Sequence, residues 1–127
     1  DGRLKENILN NVVGLDFILN LKPVTYNYNF KAIDPKSQNN NIRYSGFIAQ
    51  EVEQTAKKVN YDFSGVDVPK NENDFYSLRY AEFVVPIVKS IQEQQKTIEA
   101  LKLELELQKQ KNEALEKRLK AIEEKLK

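Results

Sequence analysis

Lys5 is the first side chain that could serve as a base, and it lies in a polar opening, Asp1-Gly2-Arg3-Leu4-Lys5-Glu6-Asn7. The chain contains no Cys and no His. Disulfides, thiol nucleophiles, Cys/His zinc sites and histidine general bases are therefore excluded, and any acid–base or nucleophilic step falls to Ser, Lys, Tyr or carboxylates. On composition alone, a single Lys near an N-terminus reads as a solvated charge. Glu51 and Glu53 form a carboxylate pair, but they fall in the first turn of an expected helix, where acidic side chains favour the helix dipole. Tyr26, Tyr28, Tyr44, Tyr76 and Tyr80 read as core or interface residues rather than as catalytic acids. There is no Gly-rich phosphate loop, so neither a metal nor a cofactor is expected. Twenty basic and nineteen acidic residues are interspersed along the chain and leave a formal charge of +1. That balance gives no electrostatic footprint for nucleic acid. The longest apolar runs, such as Phe83-Val84-Val85, fall far short of the roughly 18 residues of a membrane span, and no signal peptide is visible. Neither nucleic acid nor a membrane is expected as a partner.

The elements that must hold these residues are short. The opening reads as an extended or looped entry. Val12, Leu15, Ile18 or Leu19, and Leu21 fall at helical spacing from about Asn11 until Lys22-Pro23 stops the pattern. Val24 to Phe30 alternates aromatic or β-branched residues with polar ones, which predicts a half-buried strand. Lys31 to Asn41, with Asp34-Pro35 and three consecutive Asn, is a loop by composition. Ile42 to Ala49 predicts a second strand, with Gly46 marking a bulge or a close backbone approach. Gln50 to about Val59 predicts a helix with one apolar face, Val52, Ala56 and Val59. A turn and short strand follow over Tyr61–Val68, then a polar turn over Pro69–Asp74 and a strand over Phe75–Tyr80.

Near Ala81 the period changes from two to about 3.6, and a long helix begins with Pro86 near its start, where a missing N–H costs least. From Ile87, steps of four and three land on Ile91, Gln94, Ile98, Leu101, Leu105, Gln108, Asn112, Leu115, Leu119, Ile122 and Leu126. Nine of these twelve positions are apolar, which makes the row a coiled-coil seam. With Ile91 at position a, Glu104, Lys111 and Arg118 occupy g, while Lys109, Glu116 and Glu123 occupy e five residues later. Each pair attracts between parallel, in-register helices. Pro86 falls at c, outward from the seam. Mixed Ile and Leu at both core positions leave two strands and three open, and the amide layers at Gln94, Gln108 and Asn112 penalise slipped registers. The expected fold class is α+β, with a head of short helices and β-hairpins over residues 1–80 and a coiled-coil helix over 81–127.

The wording of the chain adds a resemblance. Asp1-Gly2-Arg3-Leu4-Lys5-Glu6-Asn7-Ile8, Leu19-Asn20-Leu21-Lys22-Pro23-Val24-Thr25-Tyr26-Asn27-Tyr28, Gly46-Phe47-Ile48-Ala49-Gln50-Glu51-Val52-Glu53, Tyr76-Ser77-Leu78-Arg79-Tyr80 and Val88-Lys89-Ser90-Ile91-Gln92-Glu93-Gln94-Gln95 occur in this order. Together they resemble the C-terminal intramolecular chaperone domain of phage tailspike and tail-fibre proteins, the endosialidase-type domain of peptidase family S74. The resemblance implies a homotrimer that brings an upstream β-rich passenger of the same precursor into register. It further implies release by self-cleavage through a Ser–Lys dyad. The family pattern Ser-Asp-x-Arg-x-Lys is matched by Asp1, Arg3 and Lys5, which makes Lys5 the catalytic residue and Asp1 and Arg3 the cleavage-site motif. The nucleophilic Ser is expected immediately before Asp1. On this reading the chain is a released product without peptidase activity of its own. Its setting is the host cytoplasm during phage fibre assembly, or a bacterial surface fibre. A permanent coiled-coil adaptor is the competing expectation.

Overall fold

β-Branched Val12 and Val13, followed by Gly14, disfavour a helical start. In the computed structural model, which describes residues 1–127, the first helix is accordingly a single turn, α1 (Leu15–Ile18), rather than the longer helix expected from Asn11. The Asn20 side-chain amide donates to the Asp16 carbonyl at 2.7 Å and closes that turn before Lys22-Pro23. The register also differs from expectation. Phe17 is the fully buried residue and Leu19 is 72% exposed.

The next two strands are shorter than their alternating patterns. β1 (Val24–Tyr26) pairs antiparallel with β2 (Tyr44–Gly46), with Val24 opposite Gly46, Thr25 opposite Ser45 and Tyr26 opposite Tyr44. Beyond Tyr26, polar side chains replace the ladder. Asn27 Nδ2 donates to the Ile42 carbonyl at 2.7 Å, and Arg43 donates to Asn27 Oδ1 at 3.0 Å and to the Thr25 carbonyl at 2.9 Å. Such side-chain bonds compete with strand pairing, and Phe30–Ala32 coils into a 3₁₀ turn. Lys31–Asn41 therefore lies in the long connection between two paired strands.

α2 (Ala49–Lys58) buries Val52 and Ala56, as its apolar face predicts, with Val59 packed beside them. Asn60 ends the helix in the left-handed region at φ 52°. The Tyr61 amide bonds to the Ala56 carbonyl at 2.9 Å and the Asn60 amide to Lys57 at 3.2 Å, a pair of bonds that satisfies the last free carbonyls. β3 (Val66–Asp67) and β4 (Ser77–Leu78) form a second antiparallel pair. A 3₁₀ turn over Tyr80–Phe83 then leads into α3 (Val84–Lys125), 42 residues long.

The core collects Phe17, Val52, Ala56, Phe63 and Phe83. It is held by aromatic contacts: Phe17 to Phe63 at 4.9 Å, Phe63 edge-on to Phe83 at 4.8 Å, and Phe83 stacked on Phe47 at 5.3 Å. Rings in these arrangements add roughly 0.5–1.5 kcal/mol per pair beyond the area they bury. Pro86, expected to face outward, is instead fully buried. The position opposite the seam faces the head's own interior, and its carbonyl accepts the hydroxyl of buried Ser90 at 2.8 Å. The fold is α+β, and the chain divides into two compact units, Asp1–Ser90 and Ile91–Lys127.

Gly46 marks a close approach, not a bulge. A Cβ there would collide with the Tyr80 hydroxyl, which also accepts the Phe47 amide at 3.1 Å. Gly46→Ala should therefore destabilise the head by about 1–3 kcal/mol through overpacking. The Gly46→Ala, Tyr80→Phe double variant should lose less than the two single losses combined, because the clash goes with the hydroxyl. Urea titration of the four proteins measures that coupling.

Candidate functional site: the Asp1–Lys5 motif and the α3 seam

The opening motif is a single 3₁₀ turn, Gly2–Leu4, in which the carboxylate of Asp1 does two jobs. It accepts the Arg3 backbone amide at 2.9 Å, satisfying a free donor of the turn. It also grips the Arg3 guanidinium, with Nε at 3.1 and 3.2 Å from its two oxygens and Nη2 at 2.6 Å. The spacing Asp-x-Arg has a local cause, since a fork of this kind needs the two side chains on the same side of one turn. Lys5 follows in extended conformation, its amide bonded to the Gly2 carbonyl at 3.1 Å. All three motif side chains are exposed. So are Leu4, Ile8 and Leu9, at 85%, 73% and 69%. That apolar arm was missed by a search for titratable groups. Its signal is three large aliphatic residues in a stretch with no partner element of its own.

The tyrosines cluster. Tyr26, Tyr28 and Tyr44 pack with ring centroids 4.8–5.9 Å apart. With Phe75, Tyr76 and Tyr80, two of them line a cleft of about 410 Å³ beside the N-terminal turn of α2. The hydrogen bond between the Tyr26 and Tyr28 hydroxyls, 3.3 Å long, pushes the Tyr26 phenol up to about 12, and loss of solvent adds to the shift. Nearby, Glu53 accepts Lys57 at 2.7 Å and Tyr76 at 2.9 Å. These bonds, Lys57 first, lower the Glu53 carboxyl, and the same contact raises the Tyr76 phenol. The Tyr76–Glu53 bond ties α2 to the segment that leads into β4.

Every one of the twelve seam residues, Ile87 to Leu126, is exposed in the single chain, the nine aliphatic ones among them. The row extends one step further than expected. Val84, seven residues before Ile91, occupies position a and is 57% exposed. Counting heptads backwards from Ile91 would have found it. No helix is long and apolar enough to cross a membrane.

Against this geometry, the family model Peptidase_S74, chaperone of endosialidase, matches residues 1–61. Over those residues the chain is similar to the chaperone-of-endosialidase family. The match takes in the Asp1–Lys5 turn, α1, the β1–β2 pair and α2 through its closing Asn60-Tyr61. The matched stretch therefore includes the motif turn and, of the core, Phe17, Val52 and Ala56, while Phe63, Phe83, β3, β4 and α3 lie beyond it. No curated protein and no solved structure matches the chain.

Proposed function

We propose that the chain is an intramolecular chaperone that assembles as a parallel homotrimer, sets the register of an upstream β-rich passenger, and is then released by self-cleavage at or just before Asp1. The observation that carries this reading is the family match over residues 1–61, with its opening turn Asp1-Gly2-Arg3-Leu4-Lys5. The exposed row Ile87–Leu126 supports the assembly step, because a helix with such a stripe gains stability only by covering it. Three chains suit the Gln94 and Gln108 layers, where three amides can satisfy one another. Tethering three passengers raises the effective concentration of each strand toward the millimolar range. That offsets the loop-closure entropy which makes long-range β pairing slow. The β1–β2 connection, Lys31–Asn41, is the arm that would touch the passenger.

In the cleavage step Lys5 is the general base, a Ser immediately before Asp1 is the nucleophile, and the Asp1–Arg3 fork shapes the scissile loop. Ser–Lys catalysis needs a neutral amine, whereas a fully hydrated lysine has a pKa of about 10.4. Covering Lys5 by a neighbouring chain would favour its neutral form. Cleavage would then wait for assembly. In a precursor that carries Ser before Asp1 and a passenger upstream, Lys5→Ala should slow self-cleavage by at least about 100-fold. A gel time course measures it. Cutting at the unaltered rate by Lys5→Ala would remove Lys5 from the mechanism.

A further inference from the structure

The start of α3 has three sides with different surroundings. Pro86 and Ser90, at positions c and g, are buried, so the chain's own head occupies that side. Val84 and Ile87, at a and d, begin the seam. The third side consists of Val88 at e and Val85 at b, both about half exposed. At every later e and b position the residue is polar or charged, from Gln92 and Gln95 to Lys120 and Glu123. In the same head the aliphatic side chains of the arm, Leu4, Ile8 and Leu9, are more exposed still, and no backbone hydrogen bond joins residues 6–13 to the rest of the chain. We infer that the arm of one chain docks on Val85 and Val88 of a neighbouring chain, and that this contact is what covers Lys5. The inference rests on the parallel assembly and the cleavage step proposed above.

Parallel helices cover a and d and leave b facing outward, so helix packing alone keeps Val85 in water. The same packing sets the g side of each helix beside the e side of the next. A head carried on the c and g side of one chain therefore stands over the e and b side of its neighbour, where Val88 and Val85 lie. The arm is the part of that head free to close the gap. The ten residues from Leu4 to Val13 span at most roughly 33–36 Å when extended, against roughly 8–10 Å between the axes of packed helices. Ile42 and Phe75 are also exposed, but the Ile42 carbonyl is bonded to Asn27 and the Phe75 amide to Asp74. Charge agrees with the arm as occupant. Lys89 is the only charged residue between Glu82 and Glu93, and neither it nor Glu6 of the arm takes part in an ion pair. Glu6 beside the neighbour's Lys89 sets Lys5 against the two valines. The neighbouring helix offers no carboxylate there, and loss of water favours a neutral amine.

The chain has no cysteine, so introduced thiols report the contact without background. Chains carrying Ile8→Cys, refolded together with chains carrying either Val85→Cys or Val88→Cys and treated with a short bismaleimide, should give a covalent pair that joins one chain of each kind. Ile33→Cys in place of Ile8→Cys should give none. In the precursor with Ser before Asp1, Val85→Gln with Val88→Gln should leave the sedimented mass unchanged and slow self-cleavage at least about tenfold, part of the roughly 100-fold loss expected when the base itself is removed. Assembled chains with no Ile8 pair to either position would overturn the docking and leave the assembly standing. A pair that forms while Val85→Gln, Val88→Gln cuts at the unaltered rate would overturn the link to Lys5. Sedimentation of the unaltered chain as a monomer would overturn the assembly, and the docking with it.

Discussion

A chain carrying Leu101→Lys and Leu105→Lys should sediment as a monomer of about 14.8 kDa, while its head keeps the near-ultraviolet circular dichroism of packed tyrosines. The two residues are consecutive d and a positions on α3, more than half exposed in the single chain at 57% and 56%. In the proposed assembly, partner helices cover them. Truncating a buried leucine to alanine costs about 2–5 kcal/mol, and an unpaired buried ammonium costs more. Repeated over two layers and three chains, the loss exceeds the roughly 5–15 kcal/mol that holds a typical domain together. The head should survive because its core, Phe17, Val52, Ala56, Phe63 and Phe83, lies within the unit Asp1–Ser90. Sedimentation equilibrium and circular dichroism on one sample check both halves of the prediction. Unchanged mass would mean that the exposed row is not the interface.

Phe17→Ala should have the opposite pattern, an unfolded head on an assembled tail. Phe17 is fully buried and its ring meets Tyr61 at 5.2 Å, Phe63 at 4.9 Å and Phe83 at 6.4 Å. It joins the one-turn helix α1 to the segment after α2 and to the turn before α3. Removing a buried phenylalanine costs about 3–5 kcal/mol, a large share of what a head of this size can hold. At about 4–8 °C per kcal/mol for a domain of this length, the head transition should fall by more than about 12 °C. Tyrosine-monitored melting measures it. The helical signal of Ile91–Lys127 should persist, since the proposed assembly covers its seam independently of the head.

What could be read from residue order follows from how often each signal repeats. The apolar row of α3 recurs over six heptads, so the long helix and its spacing are visible in the sequence, and exposed Val84 shares that spacing one step earlier. α2 has ten residues, enough for the face of Val52, Ala56 and Val59 to show a period. α1 has four, too few for any period, and Phe17 was passed over for neighbours that happened to be spaced correctly. The strands were seen but overextended, because Asn27 and Arg43 end the β1–β2 ladder by bonds between residues more than a dozen positions apart. The opposition of Tyr26 and Tyr44 had no local signal either, since a long connection does not fix register as a two-residue turn does. Pro86 was placed correctly on the helix and misjudged in its surroundings. Heptad phase says which residues avoid the seam, and nothing about a head packed on the other side.

The Asp1–Lys5 turn was legible as wording rather than as physics. Its geometry then supplied the physical reason for two of its residues, the Asp1 carboxylate that caps the turn and the Arg3 guanidinium that grips the cap. Lys5 takes no part in that turn beyond its backbone. In the proposed function, covering of its exposed side chain by a neighbouring chain is what joins assembly to cleavage.

Folding of the passenger with and without residues 1–127 separates a chaperone from a permanent adaptor most directly. The full-length precursor and the same precursor ending before Asp1 would be expressed side by side, and the soluble passenger from each sized by sedimentation. If the chain is a chaperone, the precursor should yield a native trimeric passenger and the shortened form aggregates or monomers. A native passenger trimer made without residues 1–127 would contradict it.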